Sequence, residues 1–249
     1  MPDWLVAGLV PTSLFSLRLP IATATAAKSC LAPTRYALKL ALVDAEIRIA
    51  GPDRGKELFK VLKGREVRIE LPERLAVTNA LVKIAVPYER KVKAAEEAGK
   101  VDEAKRQDQY PFKTSVAFRE YVHFGGSLRI AWSAENLAPA EEAWLRGAWA
   151  RLSWIGKRGS FVAPLPDWQR LGDLPNSFDF PLANPPAAFP VDVVVQAHDD
   201  LGVGAEFERV STYSNESLRP GVDRVPALIA FPLRLDRRGR GFTSYIRSV

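Results

Sequence analysis

Cysteine and histidine are almost missing from this chain: Cys30 stands alone, and His123 and His198 are its two histidines. A single cysteine closes no internal disulfide, and no Cys/His pairs sit at metal-ligand spacing. That excludes a structural zinc of finger or ribbon type, predicts no metal or cofactor, and fits a reducing, cytoplasmic setting. Acid–base cleavage of RNA needs a histidine beside a second donor or base, so two histidines leave little room for it. No run approaches the ~20 apolar residues that cross a bilayer. The apolar residues 4–10 lack the basic lead of a signal peptide: Asp3 is acidic, and Pro11 and Arg18 interrupt the stretch. The expectation is a cytoplasmic protein without membrane contact.

What is present is a chain of 249 residues, 47% hydrophobic and 26% charged, enough to bury a sizeable core. The 35 Lys+Arg exceed the 29 Asp+Glu by six, and the pI is near 9.5. The excess favours anionic partners but is too small for general polyanion coating, so any nucleic-acid contact is local and shaped.

Residues 4–20 read as extended structure broken at Pro11-Thr12, and Pro33 opens a helix to about residue 49 with Leu38, Ala41, Leu42 and Ala45 on one face. Arg35, Lys39 and Asp44 read as its narrow polar edge. A shorter helix over 56–63 leads into a strand over 67–71, where Val67, Ile69 and Leu71 alternate with charged residues. Residues 75–88 are extended, residues 89–106 are almost wholly charged or alanine, and residues 116–132 are strand-like again, with Gly125-Gly126 as a bulge or turn. Paired, the two extended stretches make a long hairpin with a charged tip. A second helix starts at Pro139, with Leu145, Ala148, Trp149 and Leu152 inward, and ends at Ile155-Gly156. Strands follow over 191–196 and 226–235, and the end is basic, with Arg234, Arg237, Arg238, Arg240 and Arg247 against Asp236.

This succession predicts an α+β, ferredoxin-like (RRM-like) β-α-β-β-α-β domain with a long β-hairpin insertion and an irregular C-terminal extension. Residues 1–165 form the domain, with the insertion at about 86–116. Residues 166–249 either complete the same sheet or form a small second subdomain. An open sheet face of this kind is the usual platform for single-stranded RNA.

Gly156-Lys157-Arg158-Gly159-Ser160 offers two glycines, two cations and a hydroxyl in one loop, a phosphate-binding composition without Walker spacing. A plain helix-ending turn explains it equally well. Arg90, Lys91 and Lys93 lie at the base of the charged excursion, flanked by Tyr88, Tyr110, Phe112, Arg119 and Tyr121. They suit either a solvated helix or stacking plus phosphate contact. Strand parity puts Arg119 and Tyr121 opposite Phe118 and Val122, and the first pair is expected outward. His123 reads as a hydrogen-bonded strand residue, and His198-Asp199-Asp200 as a polar turn rather than a metal site or dyad.

Three stretches together resemble one family. Residues 29–38 (Ser-Cys-Leu-Ala-Pro-Thr-Arg-Tyr-Ala-Leu) are similar to its proline-containing approach to the first helix. Residues 116–132 resemble the Arg-Glu-Tyr strand that returns from its thumb hairpin, and residues 154–161 resemble its glycine-rich loop. The family is the RAMP superfamily of CRISPR proteins and, within it, the one numbered "Cas five". Pro33 stands alone where the family has two or three prolines, and the C-terminal third carries no likeness.

The resemblance implies a non-catalytic subunit of a type I, Cascade-like interference complex. Such a subunit holds the 5′ handle of the CRISPR RNA, caps the backbone filament, touches the large and backbone subunits, and meets target DNA only through the complex. Carried over by position, Lys28 and Arg35 lie near the helix start, Arg90, Lys91, Lys93 and Lys113 on the thumb, and Lys157, Arg158 and Ser160 in the loop. Some members process precursor RNA, so a metal-independent endoribonuclease is one alternative. A protein-binding scaffold of the same fold is another.

Overall fold

The computed structural model describes residues 3–20, 26–87, 89–107, 110–187 and 192–248. Along the chain run β1 (Trp4–Pro11), β2 (Ala26–Ala27), α1 (Arg35–Ala50), α2 (Pro52–Lys63), β3 (Val67–Glu70), β4 (Arg74–Pro87), α3 (Glu89–Glu97), α4 (Val101–Arg106), β5 (Phe112–Phe124) and β6 (Leu128–Ser133). Then follow α5 (Pro139–Trp149), β7 (Val162–Pro164), β8 (Gln169–Leu171), β9 (Phe180–Pro181), β10 (Val194–Leu201), α6 (Phe207–Val210), β11 (Arg224–Phe231), β12 (Leu233–Arg238) and β13 (Phe242–Arg247). The architecture is α+β, and the ladders between the described strands are antiparallel except where β2 joins β5 in parallel.

The first sheet has the order β7–β1–β6–β3, and β8 continues alongside β1 beyond β7. Leu5, Leu9, Ile69, Ile130 and Trp132 pack against Leu38 and Leu42 of α1 and Leu145 and Trp149 of α5 in one core. Trp4, Val6 and Ala131 are buried on the opposite face with Phe178. Burial on both faces explains why β1 reads as a nearly continuous apolar run rather than an alternation.

Helix α1 begins at Arg35, two residues beyond Pro33, because the Thr34 side chain accepts the Ala37 N–H at 3.2 Å and caps it. Its expected polar edge is corrected by the structure. Arg35 and Lys39 are both buried, Arg35 paired with Asp179 at 2.9 Å and Lys39 with Asp200 at 2.7 Å. The aliphatic stems join the core, and the charges are met by carboxylates from the C-terminal third.

Gly125-Gly126 ends one strand and starts another rather than bulging a single one. The Gly125 N–H donates to the Arg74 carbonyl at 2.8 Å, and a Cβ there would sit 2.8 Å from that same oxygen. Glycine therefore permits the tight step by which β5 leaves the second sheet and β6 enters the first. The second sheet has the order β12–β13–β4–β5–β2. Its β4–β5 ladder runs from Leu75↔Phe124 to Pro87↔Phe112, and only the proximal part, Leu75, Val77, Val122 and Phe124, reaches the core. Helices α3 and α4 follow the far end of β4, and the third sheet is β10–β11–β9.

His198 on β10 is fully buried, with its ring 5.2 Å from that of Phe231 and neither nitrogen hydrogen-bonded among the described residues. Burial, then the Arg35 cation, pushes its pKa down to about 3. The folded protein keeps this ring neutral while the unfolded chain protonates it below about 6.5. Stability is therefore lost as pH falls from about 6.5 towards 3, by up to about 1.4 kcal/mol per pH unit from this group. Asp179 acts with the opposite sign, because burial raises its pKa. Its contribution is fully present below the ordinary aspartate value and fades as pH rises through the raised one. Urea midpoints of His198→Leu are expected to depend less on pH between 6.5 and 5 than wild type; an identical dependence would show that His198 takes no part.

Candidate nucleic-acid interface

The loop between α5 and β7 is a tight hairpin closed by the Trp154↔Phe161 bridge. Gly156 adopts φ 73° and lies where a Cβ would come 2.9 Å from Leu17 Cδ1, so the turn needs glycine for both conformation and space. Ser13 fixes the loop from outside: its hydroxyl donates to the Gly159 carbonyl at 2.8 Å and accepts the Phe161 N–H at 2.7 Å. Ser160 is buried, and its hydroxyl accepts the Ser16 N–H at 3.3 Å. The serine is thus a structural pin, which corrects its expected place among the surface contacts. Lys157 and Arg158 remain exposed. Partial desolvation, then the cations of Arg119 and Arg18, hold the Lys157 pKa below its usual value. Positive charge is therefore concentrated here beyond the loop itself.

Beside the loop opens a cleft of about 470 Å³, walled by α1, the loop and the segment around α6. Tyr36, Trp154 and the largely exposed Tyr213 supply aromatic surface, with Lys157, Arg158 and Arg224 around them. Arg224 lies 4.9 Å from the Tyr36 ring centre and pairs with the buried Asp199. Arg48 covers Trp154 at 4.2 Å and pairs with Asp44, the carboxylate of this wall, at 3.1 Å. The acid is thereby neutralised, while Lys157 and Arg158 form no ion pair among the described residues. An aromatic wall beside unpaired cations is suited chemically to a nucleobase and its phosphate. Burial pushes the thiol of the chain's single cysteine, Cys30, up to about 12, so it stays protonated at neutral pH.

The remaining expected residues are not brought together in one place. Lys28 is exposed on a loop tied to β5 through the Ser29 N–H, which donates to Glu120 at 2.9 Å. Arg119 and Tyr121 are partly exposed on β5, on the face away from Val122 as parity required. Arg35 is withdrawn into its buried pair and cannot serve as a surface contact. Lys91 and Lys93 are exposed on α3 at the hairpin tip. The side chains of Arg90 and Lys113, and Tyr88 altogether, lie outside the described residues. Six strand residues, roughly 20 Å, separate Arg119 from position 113, so tip and loop form two contact regions rather than one patch. Tyr36, Tyr213 and Arg224 were not picked out from sequence. Tyr36 adjoins the Pro33-Thr34-Arg35 motif, but nothing local marks the other two.

No protein-family model matches the chain. A curated protein of Archaeoglobus fulgidus, named CRISPR-associated protein Cas5, is 24% identical over 231 residues, covering 91% of this chain and 92% of that protein. A crystal structure of a CRISPR protein from Archaeoglobus fulgidus aligns with 99% of this chain and 92% of its own, at 14% identity and a TM-score of 0.44. Over nearly its whole length, then, this chain is similar to a curated CRISPR-associated protein Cas5.

Proposed function

We propose that the chain is a non-catalytic RNA-binding subunit of a type I, Cascade-like CRISPR effector complex, holding the 5′ handle of the CRISPR RNA and capping the backbone filament in the cytoplasm. The observation that carries this reading is the cleft, where unpaired Lys157 and Arg158 adjoin Tyr36, Trp154 and Tyr213. Phosphates meet fixed cations there, and unpaired bases meet rings worth about 1–3 kcal/mol per stack. The first sheet is read as a ferredoxin-like unit. Support comes from the order β7–β1–β6–β3, with α1 between β1 and β3 in sequence and α5 between β6 and β7. The β4–β5 hairpin is the thumb. Its distal half exposes Leu81 and Val116, apolar surface that suits contact with neighbouring backbone or large subunits.

The endoribonuclease reading would depend on His123, which is exposed on β5, since His198 is buried and unprotonated at neutral pH. Incubating the protein with repeat-derived RNA in chelator tests both readings. A mobility shift that leaves the RNA intact is expected. Cleavage abolished by His123→Ala would overturn the non-catalytic role, and equal indifference to repeat-derived and scrambled RNA would favour a protein-binding scaffold.

A further inference from the structure

Most arginines of the second sheet differ from those that hold the fold. Those that hold the fold are met by carboxylates, as in Arg35–Asp179, Arg129–Glu70, Arg151–Glu46, Arg219–Asp223 and Arg247–Glu70. Arg74, Arg119, Arg234, Arg237, Arg238 and Arg240 form no ion pair among the described residues, and all six belong to the second sheet or its β12–β13 turn. Leaving so many cations unpaired on one small sheet stabilises nothing within the chain, because the like charges repel.

Register settles which of them share a face. Across the sheet, Phe242 pairs with Thr78 and Thr78 with Tyr121; Ser244 pairs with Ala76 and Ala76 with His123. On the next strand Arg237 pairs with Ser244, and Arg234 with Ile246, which pairs with Arg74. Directly opposed residues point to the same side. Arg74, Arg234, Arg237, Phe242, Tyr121 and Arg119 therefore lie on the side opposite the buried Leu75, Val77, Val122 and Phe124. Arg74, Arg234 and Arg237 are exposed, and Phe242 is 42% exposed. One carboxylate intrudes: Asp236 accepts a hydrogen bond from the Ser244 hydroxyl at 3.1 Å. Phe242 and Tyr121 stand two strands apart, about 10 Å, with the arginines around them.

We propose that this outer face, Arg74, Arg119, Arg234 and Arg237 around Tyr121 and Phe242, binds a single-stranded polynucleotide as a second track, separate from the cleft. Partly exposed rings favour strands whose bases are free to stack, since a duplex buries its base faces. The arginines supply phosphate contacts, and the C-terminal hairpin contributes half of them. The inference rests on the nucleic-acid reading above, but the residues changed in its test, Arg234, Arg237 and Phe242, lie outside the cleft, so the two fail separately.

The test is binding of fluorescent oligo(dT) and oligo(U) to the full chain, as wild type, Arg234→Gln/Arg237→Gln and Lys157→Ala/Arg158→Ala, with Phe242→Ala as an uncharged second variant. Losing two single-strand phosphate contacts lowers the salt slope by about 1.4, equivalent to about 25-fold in affinity at 0.1 M salt. That loss is expected for the Arg234/Arg237 variant with unchanged thermal melting, additive with the loop variant. Confinement of the loss to one oligonucleotide would assign the face to RNA or to DNA. Wild-type binding by both the Arg234/Arg237 and Phe242 variants would overturn the second track while leaving the cleft intact. A loss at the sheet face with none at the loop would remove the cleft instead, and no binding by wild type would overturn both.

Discussion

Asp179→Ala is expected to destabilise the protein by about 3–5 kcal/mol, the usual consequence of stranding a buried ionic partner. The Arg35–Asp179 pair is sealed from water on both sides, with side-chain exposures of 6% and 0%. One carboxylate oxygen receives the guanidinium; the other receives the Ile69 N–H at 2.9 Å. Removing the carboxylate leaves a buried cation on α1 and an unpaired amide on β3 together. Domains commonly hold only about 5–15 kcal/mol in total, so the change takes a large share. Urea unfolding reads it directly, and a variant within about 1 kcal/mol of wild type would show that water reaches the pair. The combined Arg35→Met/Asp179→Leu variant is expected to recover much of the loss, because an apolar pair leaves no stranded charge.

The second large effect concerns binding. Lys157→Ala/Arg158→Ala removes the two unpaired cations of the glycine loop without touching its frame, which Ser13, Ser160 and the Trp154↔Phe161 bridge hold. Folding is expected to be unchanged. If each cation meets one phosphate of a single strand, repeat-derived RNA binds about 25-fold more weakly at 0.1 M salt, with little difference near 1 M. Truncating Lys91 and Lys93 on the distant tip serves as a comparison, since those residues belong to a separate contact region.

Much of this fold is legible where local pattern and burial agree. The stripes Leu38–Leu42 and Leu145–Leu152 are buried as their spacing requires, and the charged 89–106 segment carries two helices of largely exposed residues. The misreadings share one cause. Arg35 and Lys39 look like a polar edge because Asp179 and Asp200 lie far along the chain, Asp179 144 residues beyond Arg35, and no local signal announces a carboxylate at that separation. The same distance hides the cleft: Tyr213 and Arg224 complete a wall begun by Tyr36 and Trp154. The pairing of β13 with β4 is likewise invisible beforehand, although Gly239-Arg240-Gly241 between alternating residues is a hairpin signal in hindsight. Ser160 is the converse case, a residue of binding type whose hydroxyl the fold itself requires. Composition alone does not separate a hydroxyl facing solvent from one pinned under a neighbouring strand.

The central claim is that fixed positive charge at the glycine loop grips an RNA backbone. Its most direct measurement is the slope of log binding constant against log salt concentration for repeat-derived RNA, with wild type and the Lys157/Arg158 double variant side by side. A wild-type slope reduced by about 1.4 in the variant is the predicted result. Parallel lines would contradict it, whatever the absolute affinities.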